Sequence, residues 1–244
     1  MSTAGKNSKS SRRNAHAKPA AAKPVQGVPP KMLGSKRQAY RQAQAEDRNR
    51  DYEDETPERR VWRAGTMLAP VPVVLVSCGG AEGYQPNLIT LAWAGTVNSE
   101  PPMLSVSIRP SRYSHEIISK TREFVVNLTT AALARSTDWC GVRSGREVDK
   151  FASCHLTAIP SMQVSAPTLA ESPLSLECRV KDIIPLGSHD MFLADILAVT
   201  VREELLDKKG KFQLAKSGLL VYAHGEYFLL GRRLGSFGYS VKKK

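Results

Sequence analysis

Along Met103-Leu-Ser-Val-Ser-Ile-Arg-Pro110, two hydroxyls and a guanidinium recur at every second residue. Side chains of a β-strand alternate between its faces, so Leu104, Val106 and Ile108 share one face and Ser105, Ser107 and Arg109 the other. Arg109 ends the run just before Pro110 stops the ladder, and Ser111, Arg112, Tyr113 and Ser114 follow where a helix would begin. Hydroxyls, a guanidinium and the free N–H groups of a helix start suit a phosphate or another anion. The plainer reading is a solvent-facing strand ending in a solvated arginine.

Three further segments carry polar groups in suggestive places. Asn87 and Thr90 interrupt the apolar run Asn87-Leu-Ile-Thr-Leu-Ala-Trp93. With the backbone amides beside them they could address the polar edge of a flat heteroaromatic ligand. β-propensity alone accounts equally for Thr90, and core packing for Trp93. Gly141-Val-Arg-Ser-Gly-Arg146, followed by Asp149, Lys150 and Phe151, offers Ser144, Gly145 and three cations that could close over a phosphate. It has neither the P-loop arrangement nor a G-x-G-x-x-G after a strand, so neither nucleotide fold is supported. His189, in the turn Gly187-Ser-His-Asp190, and His224, before Gly225, are read first as exposed loop histidines. Asn127-Leu-Thr129 is a glycosylation sequon placed inside an apolar strand. No Ser/His/Asp set, metal-ligand spacing or carboxylate pair stands out, which leaves room for a cofactor to supply the chemistry.

The formal charge of +12 invites a nucleic-acid reading, but its distribution opposes one. Residues 1 to 45 hold ten Lys or Arg and no acid, and Lys242, Lys243 and Lys244 add three more, so the body between is close to neutral. The first segment, rich in Ala, Lys, Ser, Pro and Gln, is expected to be disordered. It reads as a solvated tail, with weak docking to nucleic acid or anionic membrane and a transit peptide as the alternatives. Glu46 to Arg60 forms a mixed-charge connector, giving a boundary between residues 1–60 and a domain at 61–244. No apolar run is long enough to span a bilayer and none resembles a secretory signal, so a cytoplasmic location is expected. The four cysteines, Cys78, Cys140, Cys154 and Cys178, form no C-x-x-C pair and read as reduced thiols. A zinc site from Cys140, Cys154, His155 and Cys178 matches no standard spacing.

These residues must be positioned by a mainly β scaffold. Strands are predicted at Val71–Cys78, Asn87–Trp93, Met103–Arg109, Glu123–Leu128, Leu174–Ile184, Met191–Leu206 and Leu219–Tyr222. Short helices are predicted at Ser111–Arg122, Thr130–Trp139 and Asp149–Cys154. Strands and long helices do not alternate, which argues against a doubly wound sheet and for an antiparallel barrel with peripheral helices.

Taken together, the segments resemble the flavin reductase-like, FMN-binding split-barrel family, and within it the flavoredoxin branch. The resemblance is carried by Trp62-Arg-Ala-Gly-Thr-Met-Leu68, Pro72-Val-Val-Leu-Val-Ser-Cys78, Asn87-Leu-Ile-Thr-Leu-Ala-Trp-Ala-Gly95 and Ser99-Glu-Pro-Pro-Met-Leu-Ser-Val-Ser-Ile-Arg109. It continues through Arg112-Tyr-Ser114, Glu123-Phe-Val-Val-Asn-Leu128, Cys140-Gly-Val-Arg-Ser-Gly-Arg146, Asp149-Lys-Phe151, Leu176-Glu-Cys178, Leu186-Gly-Ser-His-Asp190 and His224-Gly-Glu-Tyr227. Ala69 departs from it, standing where the family often has an aromatic residue.

The resemblance implies a six-stranded antiparallel split barrel of Greek-key character, a homodimer with FMN near its interface, and an electron-transfer oxidoreductase. NAD(P)H as donor to a flavin reductase, or a non-enzymatic flavin-binding protein, are the alternatives. It implies that Asn87, Thr90, Leu91 and Ala92 face the isoalloxazine, that Ser107, Arg109 and Ser114 hold the phosphate with Ser144, Gly145 and Lys150, and that His189 lies beside the flavin as the candidate catalytic residue. Trp93, Tyr113, Asn127 and Phe151 complete the expected cofactor contacts.

Overall fold

The computed structural model describes residues 58–241. The basic tail, the connector up to Pro57 and the last three lysines lie outside the described residues, so the expectation of disorder there is not addressed by the structure. Residues 58–63 carry no regular secondary structure. The unit Ala64–Lys244 holds every element that follows.

Among the described residues, twelve strands and three short α-helices run in the order β1 Val71–Pro72, β2 Val74–Cys78, β3 Asn87–Leu91, β4 Ala94–Ser99, β5 Pro102–Ile108, α1 Tyr113–Thr121, β6 Glu123–Leu128, α2 Ala134–Val142, α3 Lys150–Ser153, β7 Ala158–Ile159, β8 Thr168–Leu169, β9 Leu174–Pro185, β10 Asp190–Val201, β11 Leu220–Ala223 and β12 Glu226–Leu229. Seven of them form one antiparallel sheet in the order β3-β2-β6-β9-β10-β5-β4. Its edges are halves of one bent segment. Leu91 still pairs with Val74 of β2; three residues later, Ala94 already pairs with Val106 of β5. At the corner the Ser107 N–H donates to the Trp93 carbonyl at 2.9 Å. Counted as one stave, β3–β4 joins the two edges, and the seven strands enclose the barrel as six staves. The expected split-barrel class is therefore the observed one.

Alternation builds the core. Val74, Val76 and Cys78, Ile89 and Leu91, Leu104, Val106 and Ile108, Phe124 and Val126, Cys178 and Val180, and Phe192 and Ala194 point inward from six strands, and Ile117 and Ile118 of α1 complete the cluster. On the outside, Leu75 and Leu88 pack with Leu133, Cys140, Phe151 and Leu169 beneath α2 and α3. Two carboxylates, Glu177 fully buried and Glu123 half-buried, fasten the loop before β9. Glu177 accepts from the N–H groups of Met162 (3.1 and 3.0 Å) and Gln163 (2.6 Å), and Glu123 accepts from the N–H and hydroxyl of Ser165, each at 2.8 Å.

Several predicted boundaries shift. Val71–Cys78 breaks at Val73: β1 joins β11 and β12 in a separate three-stranded sheet, while β2 enters the barrel. The helix expected at Thr130–Trp139 is a 3₁₀ turn, Ala131–Leu133, leading into α2. The last barrel strand ends at Val201 rather than Leu206, with a 3₁₀ turn at Glu203–Leu205. Cys140 and Cys154 meet in the outer cluster, their sulfurs 3.9 Å apart, whereas Cys178 faces the barrel interior, so the three cysteines weighed as zinc ligands do not come together. No helix among the described residues is long and apolar enough to cross a membrane.

Candidate functional site

Two adjoining cavities open beside the β3–β4 corner. The larger, about 580 Å³, lies between Leu91, Ala92 and Trp93 of the corner, Ser107 and Arg109 at the end of β5, His189, and the β11–β12 hairpin. Its volume is in the range of small-molecule sites. The smaller, about 140 Å³, lies between the start of α1, the start of β3 and the Gly141–Gly145 segment. Ile89, Arg112 and Gly141 line both.

The smaller cavity gathers hydroxyls and cations. Ser114 and Ser144 offer hydroxyls, and Arg112, Arg143 and Lys150 offer positive charge. No carboxylate lines it among the described residues. The nine-residue helix α1 begins here, with no side chain capping its first turn, so the positive end of its dipole is directed at the cavity. Lys150 is buried, 4% exposed, and its Nζ donates to the carbonyls of Leu88 at 2.7 Å and Cys140 at 2.8 Å. Those two bonds use two of its three donors. Burial pulls its ammonium below the usual lysine pKa. Asn87 is buried as well and donates from Nδ2 to Ser114 Oγ at 2.9 Å. Over the rim, Arg146 pairs with Glu116 of α1 at 2.5 Å and lies 4.5 Å above the Tyr113 ring, tying the loop to the helix.

The larger cavity has a different character. Thr90 donates from its hydroxyl to the Thr137 carbonyl, fastening β3 to α2. Trp93, 45% exposed, walls the cavity, and the imidazole of His189 lies against it, tilted by 45° with ring centroids 4.5 Å apart. Partial burial first, and the positive charge of Arg109 second, hold His189 below the ordinary histidine pKa, so its neutral form is favoured. At the opposite end Tyr227 donates to Asp138 Oδ1 at 3.1 Å. Burial and this bond push the phenol up to about 12. The turn His224-Gly225 reaches the same wall, with φ of 51° at His224 and 89° at Gly225, the conformation of a tight hairpin turn.

The residues singled out in the sequence divide among these places. Thr90, Leu91, Ala92, Trp93, Ser107, Arg109 and His189 line the larger cavity; Asn87, Tyr113, Ser114, Ser144, Gly145 and Lys150 line the smaller. Ser107 and Arg109 are thus placed apart from Ser114, although a single anion set was expected of them. The chain turns between them: the Arg112 N–H donates to the Arg109 carbonyl at 3.0 Å, swinging α1 toward the smaller cavity. Asn127 and Phe151 reach neither. Asn127 is fully buried, donating to the Leu75 carbonyl at 3.0 Å and accepting from Ser175 Oγ at 2.7 Å and the Leu169 N–H at 3.0 Å. Phe151 belongs to the core under α2 and α3.

Sequence reasoning left Arg112, Asp138 and Tyr227 out of the site. Arg112 carried a signal, as the last cation before a helix start. Asp138 and Tyr227 lie 89 residues apart, and nothing local joins them.

A model of the flavin reductase like domain matches residues 66–231. Among solved structures, flavoredoxin of Desulfovibrio vulgaris (Miyazaki F) is similar with a TM-score of 0.70 and 30% identity, covering 76% of this chain and 100% of that one. An FMN-binding protein from Thermus thermophilus, with bound 1-cyclohex-2-enone, follows at 0.62 and 27% identity, covering 73% of this chain and 99% of that one. In sequence, an NADPH-flavin oxidoreductase of Streptomyces viridifaciens is 27% identical over 140 residues, 57% of this chain and 70% of that protein.

Proposed function

Because the chain belongs to the flavin reductase-like domain family, whose model spans residues 66–231, we propose that it binds FMN and works as an electron-transfer oxidoreductase of the flavoredoxin kind. The observation that carries this reading is the pair of adjoining cavities: a cleft of a size for a flat ring system beside a small pocket of hydroxyls and cations at a helix start, with Ile89, Arg112 and Gly141 lining both. In it the phosphate sits with Ser114, Ser144, Lys150 and Arg112, and the isoalloxazine with Thr90, the Leu91–Ala92 backbone and Trp93. When bound, FMN supplies two-electron chemistry between a donor and an acceptor. Backbone amides of the β3–β4 corner would favour negative charge on the ring's polar edge. His189 stands at the open side of the cleft, where a second reactant would approach.

The likeness to an NADPH-flavin oxidoreductase favours a second reading, in which NAD(P)H is the donor and reduced flavin the product released. A homodimer is part of the proposal. Val97, Leu197 and Val199, apolar and exposed, give it a surface. Residues 1–60 are proposed as a peripheral tail, so a chain starting at residue 61 should keep its flavin. The test is titration of the apoprotein with FMN and with riboflavin. FMN bound at least tenfold more tightly supports the reading; equal affinities would remove the phosphate pocket from it.

A further inference from the structure

His189 is the last residue of the turn and Asp190 the first of β10, and their side chains go different ways. His189 turns outward onto Trp93. Asp190 turns the other way, and its Oδ2 meets Nε2 of His115 on α1 at 2.7 Å, with side chains 18% and 15% exposed. The His115 ring is itself held edge-on against Phe192, 5.1 Å between centroids. The turn carrying His189 is closed locally by the Leu186 N–H donating to the His189 carbonyl at 2.9 Å. Ser188 Oγ lies 3.0 Å from His189 Nδ1. The Asp190–His115 bond adds a different restraint, anchoring the turn to the helix whose first residues form the smaller cavity.

We propose that His115 is a positioning residue, which fixes the Pro185–Asp190 turn through Asp190 and so keeps His189 against Trp93 at the cleft. Its consequence for electron transfer rests on the flavin reading, but its geometry does not, and the test uses no flavin. His115→Phe keeps an aromatic ring on Phe192 and loses the bond to Asp190. His115→Gln keeps an N–H donor. The measurement is the proton NMR signal of the His189 imidazole in the full-length apoprotein, assigned by its disappearance in His189→Asn. A proton near the face of Trp93 is displaced from the position of free histidine, and Trp93→Leu removes that displacement.

The expected result is that His115→Phe loses at least half of the displacement and His115→Gln retains it. Should His115→Phe fail to fold, Asp190→Ala reads the same restraint from its other side. A displacement unchanged in His115→Phe or Asp190→Ala overturns the proposal, and so does a wild-type signal without one. Failure of the wild-type protein to bind FMN would end the flavin reading and leave the NMR result standing.

Discussion

A Cβ placed on Gly145 would stand 2.1 Å from Oδ1 of Asn87 and 2.6 Å from its Cγ. Asn87 has little freedom to yield, since it is buried and its amide donates to Ser114. Three pieces of chain therefore meet without space to spare: the start of β3, the start of α1 and the Ser144–Gly145 loop. Gly145→Ala must push the loop away or break the Asn87–Ser114 bond. Overpacking of this kind costs about 1–3 kcal/mol. Thermal unfolding should register that loss, and FMN titration should show affinity weakened by about tenfold, the equivalent of roughly 1.4 kcal/mol. Unchanged stability and affinity would contradict the packing described.

Lys150 has a structural role and, in the proposed function, a binding one. Lys150→Met leaves the carbonyls of Leu88 and Cys140 without their donor, which should cost about 1–3 kcal/mol in unfolding free energy. It also removes positive charge from the smaller cavity. Affinity for FMN should fall more than affinity for riboflavin, which has no phosphate. Equal losses for both would place Lys150 outside the phosphate site.

The lowered pKa of His189 sets a pH dependence. Protonation is disfavoured in the folded protein, so the associated stability is fully present above the ordinary histidine value of about 6.5. It is lost as the pH falls through that value toward the lower folded one. Arg109→Leu removes the repelling charge and should raise the His189 pKa. Titration of the imidazole by NMR checks the sign, and an unchanged or lower value in the variant would contradict it.

Asn127 should behave as a core residue. Asn127→Leu strips the Leu75 carbonyl, the Ser175 hydroxyl and the Leu169 N–H of a partner, at about 1–3 kcal/mol for each group left unpaired. Protein that remains folded should bind FMN as the wild type does. A selective loss of FMN with stability intact would move Asn127 into the site.

The legible parts of this molecule were those with a local period. Leu104, Val106 and Ile108 alternate with Ser105 and Ser107, and the structure sends the first set inward and Ser107 to the cleft. β4 was invisible to the same reasoning because Ala94–Ser99 is largely exposed and polar, and only its pairing with β5 makes it a strand. The proline-containing run Val71–Cys78 read as one strand although its ends serve two sheets. At the site, Asn87, Ser114 and Lys150 stood out as polar groups at element starts. The Asp138–Tyr227 and His115–Asp190 pairs did not, because each joins residues that only the tertiary fold brings together.

Whether a flavin occupies the adjoining cavities is read from the visible absorption spectrum of the purified protein, together with chromatography of any flavin released by heat. Flavin bands and FMN in a near-equal ratio to the chain are expected. A colourless protein that also fails to take up added FMN would contradict the flavin reading.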